Sequence, residues 1–426
     1  MSGRYRHLLF FYIILQPLID LSASLSERFG IQWLSFGSGL RLFFLLFGGI
    51  IVFFKLLKDG NRSLFIVFVL PFIAVCLMLA VNLVQKHPFY FADELQFAAK
   101  SVYYVVCLFV FHFFLDTKRA VKPVTVAALI YGLSFIMAIA THTGFPSYNF
   151  NGKGTTGWFY AANEIGATLA FLLCFSLLYA QKREWAWAAV LSVLMAMYAI
   201  GTKTAFLSAL FLLVLATGYL WFKKVKRKWG ILFLTILFIG AAPFSPFIQN
   251  LRHPAYIPPL EPEPQTAPST EVSEKAPHYL EENPILRRIF SSRTYYFEKK
   301  LADYHDVSPL RKWFGMGYAG DYKDHQPKLV EMDVIDLWIG YGWIGVIFML
   351  CPLAVWLIGV IRGYRRWKKL GFYRWMLTVT VLLGLGISVI SGHVLFAPAV
   401  SFFFSLALHG VKASLPNVED GNVASK

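Results

Sequence analysis

The sequence predicts an all-α polytopic membrane protein with about twelve transmembrane helices. Three observations predict it. Hydrophobic residues make up 57% of the 426-residue chain and charged residues 15%, with Phe alone occurring 41 times, a balance foreign to soluble domains. Apolar stretches recur at about the 20-residue length a helix needs to cross hydrocarbon. Lys and Arg alternate between successive loops in the manner of the positive-inside rule. The apolar runs are continuous rather than alternating, which excludes a β-barrel.

The spans are expected, in order, at 8–25, 39–57, 63–84, 97–115, 121–141, 160–180, 184–200, 204–222, 230–247, 335–360, 373–391 and 393–410. The first is interrupted by Gln16, Pro17 and Asp20. Its basic start and the "SAS" at 22–24 have a faint signal-peptide look, but that interruption argues against cleavage. The last two spans have almost no loop between them. With the N-terminus and C-terminus inside, cytoplasmic segments hold 23 of the 40 basic residues, the short outer loops six, and one long outer loop the remaining eleven. The net charge of +16 is therefore topological and no nucleic-acid partner is expected. The "KKVKRK" run at 223–228 reads as a stop-transfer flank, with contact to anionic lipid as the alternative. Cys76, Cys107, Cys174 and Cys351 all lie inside spans and form neither a disulfide framework nor metal-ligand spacing.

Four segments follow: nine helices in 1–247, an extracytoplasmic loop at 248–334, three helices in 335–410, and a cytoplasmic tail at 411–426. Within the loop, 252–284 is rich in Pro, Glu, Ser and Thr and should be extended. Residues 285–334 carry aromatics at helical spacing and a turn at Gly315 and Gly317, which predicts one or two short surface helices. No internal repeat, phosphate-binding loop, dinucleotide fingerprint or zinc spacing is present, and no cofactor is expected.

Ionisable residues within or beside spans are functional candidates by default. Asp20 falls in the outer third of the first span, and Arg41 begins the second at its outer end. Asn163 and Glu164 open the sixth, and Lys203 stands at the turn before the eighth. Glu331, Asp333 and Asp336 precede or open the tenth, and His393 stands at the outer junction of the last two. All gather at the outer ends, which implies one polar site at the outer membrane surface beneath the long loop. Each also has a plain structural reading. Arg41 can snorkel, Glu164 suits a helix N-terminus, the three acids can cap the tenth span, and His393 can simply be packed.

Four stretches carry a resemblance. They are "GWFYAANEIGATLAFLL" (157–173), "GTKTAFLSALFLL" (201–213), "SSRTYYFEKKLADYHDVSPLRKWFGMGYAG" (291–320) and "EMDVIDLWIGYGWIG" (331–345). In order and topology the chain resembles the O-antigen ligase and O-antigen polymerase family over about residues 155–410. The third stretch is similar to that family's loop segment with an arginine, an aromatic helix and a G-x-G turn. The fourth is similar to its H-N-x9-G-x-x-G stretch. Two departures stand out: Lys203 takes a place where Arg is usual, and Glu331 and Met332 take the places of the histidine and asparagine. His325 stands six residues too early to fill the histidine's role by register.

The resemblance implies a fold similar to the integral-membrane glycosyltransferases known as GT-C. It implies transfer of glycan from a polyprenyl-diphosphate-linked donor to an acceptor hydroxyl, glycan or lipid, at the outer face of the bacterial cytoplasmic membrane. On that reading Lys203 and Arg293, with Arg41, bind the diphosphate. Glu331 is the expected base and Asp333 the next choice. Asp336, Asn163, Glu164 and His393 serve substrate binding. A polysaccharide or lipid-linked-sugar transporter is the main alternative, with a non-catalytic assembly subunit behind it. The E-x-D-x-x-D spacing also admits a Mg²⁺ or Ca²⁺ site, although no metal is expected.

Overall fold

The computed structural model describes residues 2–30, 35–148, 152–223, 228–252, 290, 293–321, 328–364 and 371–413. It is almost wholly helical over these residues. The first nine long helices are α1 (Ser2–Arg28), α2 (Phe36–Asp59), α3 (Arg62–Gln85), α4 (Phe91–Phe114), α5 (Thr117–Ala140), α6 (Ala162–Ala180), α7 (Ala186–Ile200), α8 (Lys203–Phe222) and α9 (Lys228–Ala241). A two-strand antiparallel ribbon, β1 (Phe145–Pro146) with β2 (Thr155–Gly157), lies between α5 and α6. Four short or broken helices follow: α10 (Pro246–Arg252), α11 (Arg293–Asp306), α12 (Pro309–Phe314) and α13 (Asp333–Tyr364). The chain then closes with α14 (Phe372–Ile390) and α15 (Pro398–Ala413). The Pro-rich stretch expected to be extended lies outside the described residues from 253 on, as do His325 and residues 224–227 of the basic run.

Each expected span falls on a helix. Ten helices among the described residues are long and apolar enough to cross a membrane, and α7 and α15 are shorter, at 15 and 16 residues. The last helix starts at Pro398 rather than 393, so residues 391–397 form a loop where almost none was expected. Three helices make the centre. Every residue is buried from Ser101 to Phe111 in α4, from Ile165 to Leu178 in α6 and from Ala399 to Val411 in α15. These stretches are packed on all sides by other helices. By contrast α2, α3 and α9 keep exposed Phe, Leu and Ile, which suits a lipid-facing ring.

The tenth expected span is a broken helix. Gly342 has φ 67° and ψ −173°, splitting α13 into a nine-residue piece and a 22-residue piece. The longer piece alone reaches about 33 Å at 1.5 Å per residue, enough to cross hydrocarbon. The break therefore stands at the membrane edge, not at its middle. The Gly315-to-Gly317 turn docks into it: Met316 N donates to Ile339 O at 2.9 Å and Gly317 N to Gly340 O at 3.0 Å. Asn82 Nδ2 donates to Gly315 O at 3.1 Å. Behind the turn, the fully buried Lys86–Glu94 ion pair holds Tyr318, whose N–H donates to Glu94 at 2.8 Å and whose carbonyl accepts from Lys86 at 2.8 Å.

This docking explains the glycines. At Gly315, φ is 93°, and a Cβ would stand 2.0 Å from Gly340 O. Gly315→Ala should combine about 1–3 kcal/mol of backbone strain with about 1–3 kcal/mol of overpacking. The expected outcome is a clearly lowered unfolding midpoint in detergent. Gly386→Ala in α14, where a Cβ would meet nothing within 4 Å, should leave the midpoint near wild type.

Candidate active site

One end of the helical bundle gathers the N-termini of α6, α8, α11 and α13 with the α14–α15 loop. Helix N-termini carry partial positive charge and free N–H groups, so this end is disposed toward anions. Arg293 opens α11. Its Nε donates to the carbonyl of Glu331 at 3.0 Å and its Nη2 to Glu331 Oε2 at 3.1 Å. His393 stands on the other side, with Nε2 3.6 Å from Glu331 Oε2 and Nδ1 3.6 Å from Glu164 Oε1. Arg293 is nearly buried at 11% side-chain exposure, whereas Glu331 is 34% exposed. The Glu331 carboxylate thus remains open to a ligand while its cationic partner is fixed.

Two other acids hold this geometry. Asp336 Oδ1 accepts from Val330 N at 2.9 Å and Oδ2 from Met332 N at 3.0 Å, pinning the backbone on both sides of Glu331. Asp333 Oδ2 accepts from Ser388 Oγ at 2.7 Å and from Val394 N and Leu395 N, both at 2.9 Å. It is 1% exposed, and its bonds tie the loop that carries His393 to the start of α13. Burial raises the pKa of both acids, that of Asp336 to about 7, so their hydrogen bonds contribute about 0.5–1.5 kcal/mol each. They offset the left-handed backbone of Glu331 (φ 65°) and His393 (φ 64°), residues that rarely adopt it. Gly392 lies so close that a Cβ would stand 2.5 Å from Glu331 O. Of the two acids expected by sequence as catalyst and substrate ligand, Asp336 thus spends both oxygens on the backbone, and Asp333 spends Oδ2 on Ser388 and the backbone.

Lys203 is the first residue of α8, after Thr202, whose hydroxyl accepts from Ala205 N at 3.3 Å. Its charge and that of Arg293 interact, which puts both cations in one field. Asn163, partly buried, shares the first turn of α6 with Glu164. Arg41 stands apart. Its guanidinium is paired with Asp20, which also accepts from the Tyr131 hydroxyl, in a group between α1, α2 and α5. Its place as a diphosphate ligand therefore has no support from geometry.

Tyr148 was not anticipated. Its hydroxyl reaches the Gly201 carbonyl at 3.5 Å, and the nearby Arg293 moderates the rise in its pKa that burial causes. Asn250 braces the same corner, exchanging two 2.7 Å bonds with the Lys153 backbone and donating to Gly201 O at 3.3 Å. Nothing in the sequence around Tyr148 signals this. Glu94 was also missed, although an acid eight residues after Lys86 at the head of an apolar segment was a usable signal. Among the described residues no group of three or more His, Cys, Asp or Glu is arranged to hold a metal ion.

Charge is distributed in pairs. Burial would raise the Glu331 pKa, but the neighbouring His393 ring, with the charges of Arg293 and Lys328, brings it down to about 2. Burial would lower that of His393, but the Glu331 carboxylate beside it and the charges of Glu164 and Asp333 raise it. A depressed carboxylate stabilises the fold above its unfolded pKa of about 4.3, and the effect fades as pH falls toward 2. A raised histidine stabilises below its unfolded pKa of about 6.5, fading as pH rises through the folded value. The two overlap between about pH 4.3 and 6.5. The unfolding midpoint of wild type minus that of Glu331→Gln should be largest there and shrink on both sides. A pH-independent difference would contradict the pairing.

A family model described as "O-antigen ligase like membrane protein" matches residues 2–416. No curated protein matches the chain.

Proposed function

This chain belongs to the O-antigen ligase like membrane protein family, and on that premise we propose that it transfers or polymerises glycan from a polyprenyl-diphosphate donor. The reaction is placed at the outer face of the bacterial cytoplasmic membrane, in agreement with the charge of the loops. The observation that carries the reading is the partly exposed Glu331 carboxylate, held between the Arg293 guanidinium and the His393 ring among converging helix N-termini.

Arg293 and Lys203 bind the diphosphate, Arg293 with parallel charge-assisted bonds and Lys203 as a point charge. The acceptor hydroxyl oxygen attacks the anomeric carbon of the donor sugar. The bond from that carbon to the phosphate oxygen breaks, and its electron pair leaves with the lipid diphosphate. The hydroxyl proton passes to Glu331. A carboxylate with a pKa of about 2 is a weak base. Diphosphate binding supplies the correction: it draws on the Arg293 and His393 charges that hold Glu331 low, so the base strengthens when donor is present. Asp333 and Asp336 are positioning residues that act through the backbone. Glu164 orients His393, and Asn163 borders the same opening.

Transport is the rival reading. Transporter sites lie near the midplane, where half-helices meet, whereas here the break at Gly342 leaves a full-length span beyond it. The test uses proteoliposomes loaded with polyprenyl-diphosphate oligosaccharide. Consumption of the donor with formation of a longer or transferred glycan supports the proposal. Movement of intact donor across the bilayer without chemical change overturns it.

A further inference from the structure

At the opposite membrane face, a cavity of about 550 Å³ opens between the start of α5, the end of α6 and the start of α14. The 19 residues of α6 separate it by about 28 Å from the Glu331 group. Its rim carries three cations, Lys118, Lys182 and Arg374. Lys118 and Lys182 are exposed. Its inner wall holds Gln181 and Tyr373. The Gln181 amide nitrogen and oxygen and the Tyr373 hydroxyl are all buried and make no hydrogen bond among the described residues. Val121, Leu178 and Phe372 complete the wall with apolar surface.

Three buried polar atoms without partners are costly, at about 1–3 kcal/mol each. Buried polar groups of a native protein are ordinarily satisfied. Their chemistry specifies what would satisfy them. The two exposed lysines, an amide N–H and a phenolic hydroxyl all suit the oxygens of a phosphodiester, with Arg374 adding to the positive field. The remaining amide oxygen suits a hydroxyl on the headgroup. The apolar wall runs along helix turns that enter the membrane, where an acyl chain would lie. Basic pockets between transmembrane helices are a recurring form of headgroup site.

We infer that this cavity is a binding site for an anionic phospholipid with a hydroxyl-bearing headgroup, seated at the membrane face opposite the proposed reaction site. The inference does not depend on the proposed reaction, and its test reads no activity.

The experiment uses the full chain, stripped of lipid in neutral detergent, and measures its unfolding midpoint with added lipid. The probes are phosphatidylglycerol, phosphatidylcholine and inorganic phosphate. Phosphatidylglycerol should raise the midpoint, and phosphatidylcholine and inorganic phosphate should not. The double variant Lys118→Gln/Lys182→Gln changes exposed side chains only. It should match wild type without lipid and bind phosphatidylglycerol at least tenfold more weakly. Lys55→Gln, a basic residue on α2 outside the cavity, should respond as wild type does. Equal shifts with both lipids, a full shift with inorganic phosphate alone, or an unchanged response in the double variant would each overturn the proposal. If the double variant unfolds without lipid, Gln181→Leu takes its place, with the same weakened lipid response expected.

Discussion

Arg293→Ala should abolish glycan transfer while the protein still folds and inserts. The guanidinium is the only charged group seen to hold both the backbone and the carboxylate of Glu331 among the described residues. In the proposed complex it also carries the diphosphate. Removing a preorganised donor that stabilises charge in a transition state costs about 10²–10³ in rate. Here donor affinity is lost as well, so the effect on kcat/KM should exceed that range. Arg293→Lys keeps the charge but loses the paired bonds, and should recover part of the activity. The check is turnover of a defined polyprenyl-diphosphate oligosaccharide by purified protein, with the unfolding midpoint as control. Normal product from a folded Arg293→Ala protein would remove this residue from the site.

Glu331→Gln should behave differently. The amide keeps the size of the side chain and cannot accept a proton. It also leaves Arg293 and His393 without their carboxylate, so the site becomes more positive. Donor binding should therefore hold or strengthen while the chemical step fails, with kcat down by about 10²–10⁴, the scale of a lost general base. A drop in kcat with unchanged or lower KM would separate this variant from Arg293→Ala, whose loss should fall on both constants. A variant with normal kcat would pass the role of base to another group, and His393 is the neighbour best placed to take it.

Much of this arrangement was legible in the sequence, and the part that was not has a physical cause. Continuous apolar runs report helices directly, because hydrocarbon forces each backbone polar group to be satisfied within its own segment. Positions of charge along those runs then placed Lys203, Glu331 and His393 at one face, and the resemblance added Arg293 from the loop. The roles of Asp333 and Asp336 were not legible. Both were visible as acids in the right place, but the donors to Asp333 come from Val394 and Leu395, about sixty residues later. The pairing of His393 with Glu331 likewise depends on two left-handed residues meeting at Gly392, which no local pattern announces. Arg41 misled for the converse reason. It sits at a span end, as the others do, yet its partner Asp20 comes from the adjacent helix and keeps it there.

The glycine pairs were legible as a pattern but not as a mechanism. Gly315 and Gly317 lie on one side of a contact and Gly340 and Gly342 on the other; Gly315 and Gly342 are explained by the facing segment, whereas a Cβ on Gly317 would meet Glu94 and one on Gly340 would meet Phe97. Together they set the height of the loop helices α11 and α12 over the membrane edge. Arg293 reaches Glu331 only because α11 is held there.

The most direct test of the account is acceptor-dependent release of lipid diphosphate by the purified protein. Wild type in detergent receives polyprenyl-diphosphate oligosaccharide with and without a hydroxyl-bearing acceptor glycan, and Glu331→Gln is run beside it. The account predicts release matched one-to-one by glycan transfer in wild type, dependent on acceptor, and absent in Glu331→Gln although donor still binds. Release and transfer at the wild-type rate in Glu331→Gln would contradict it.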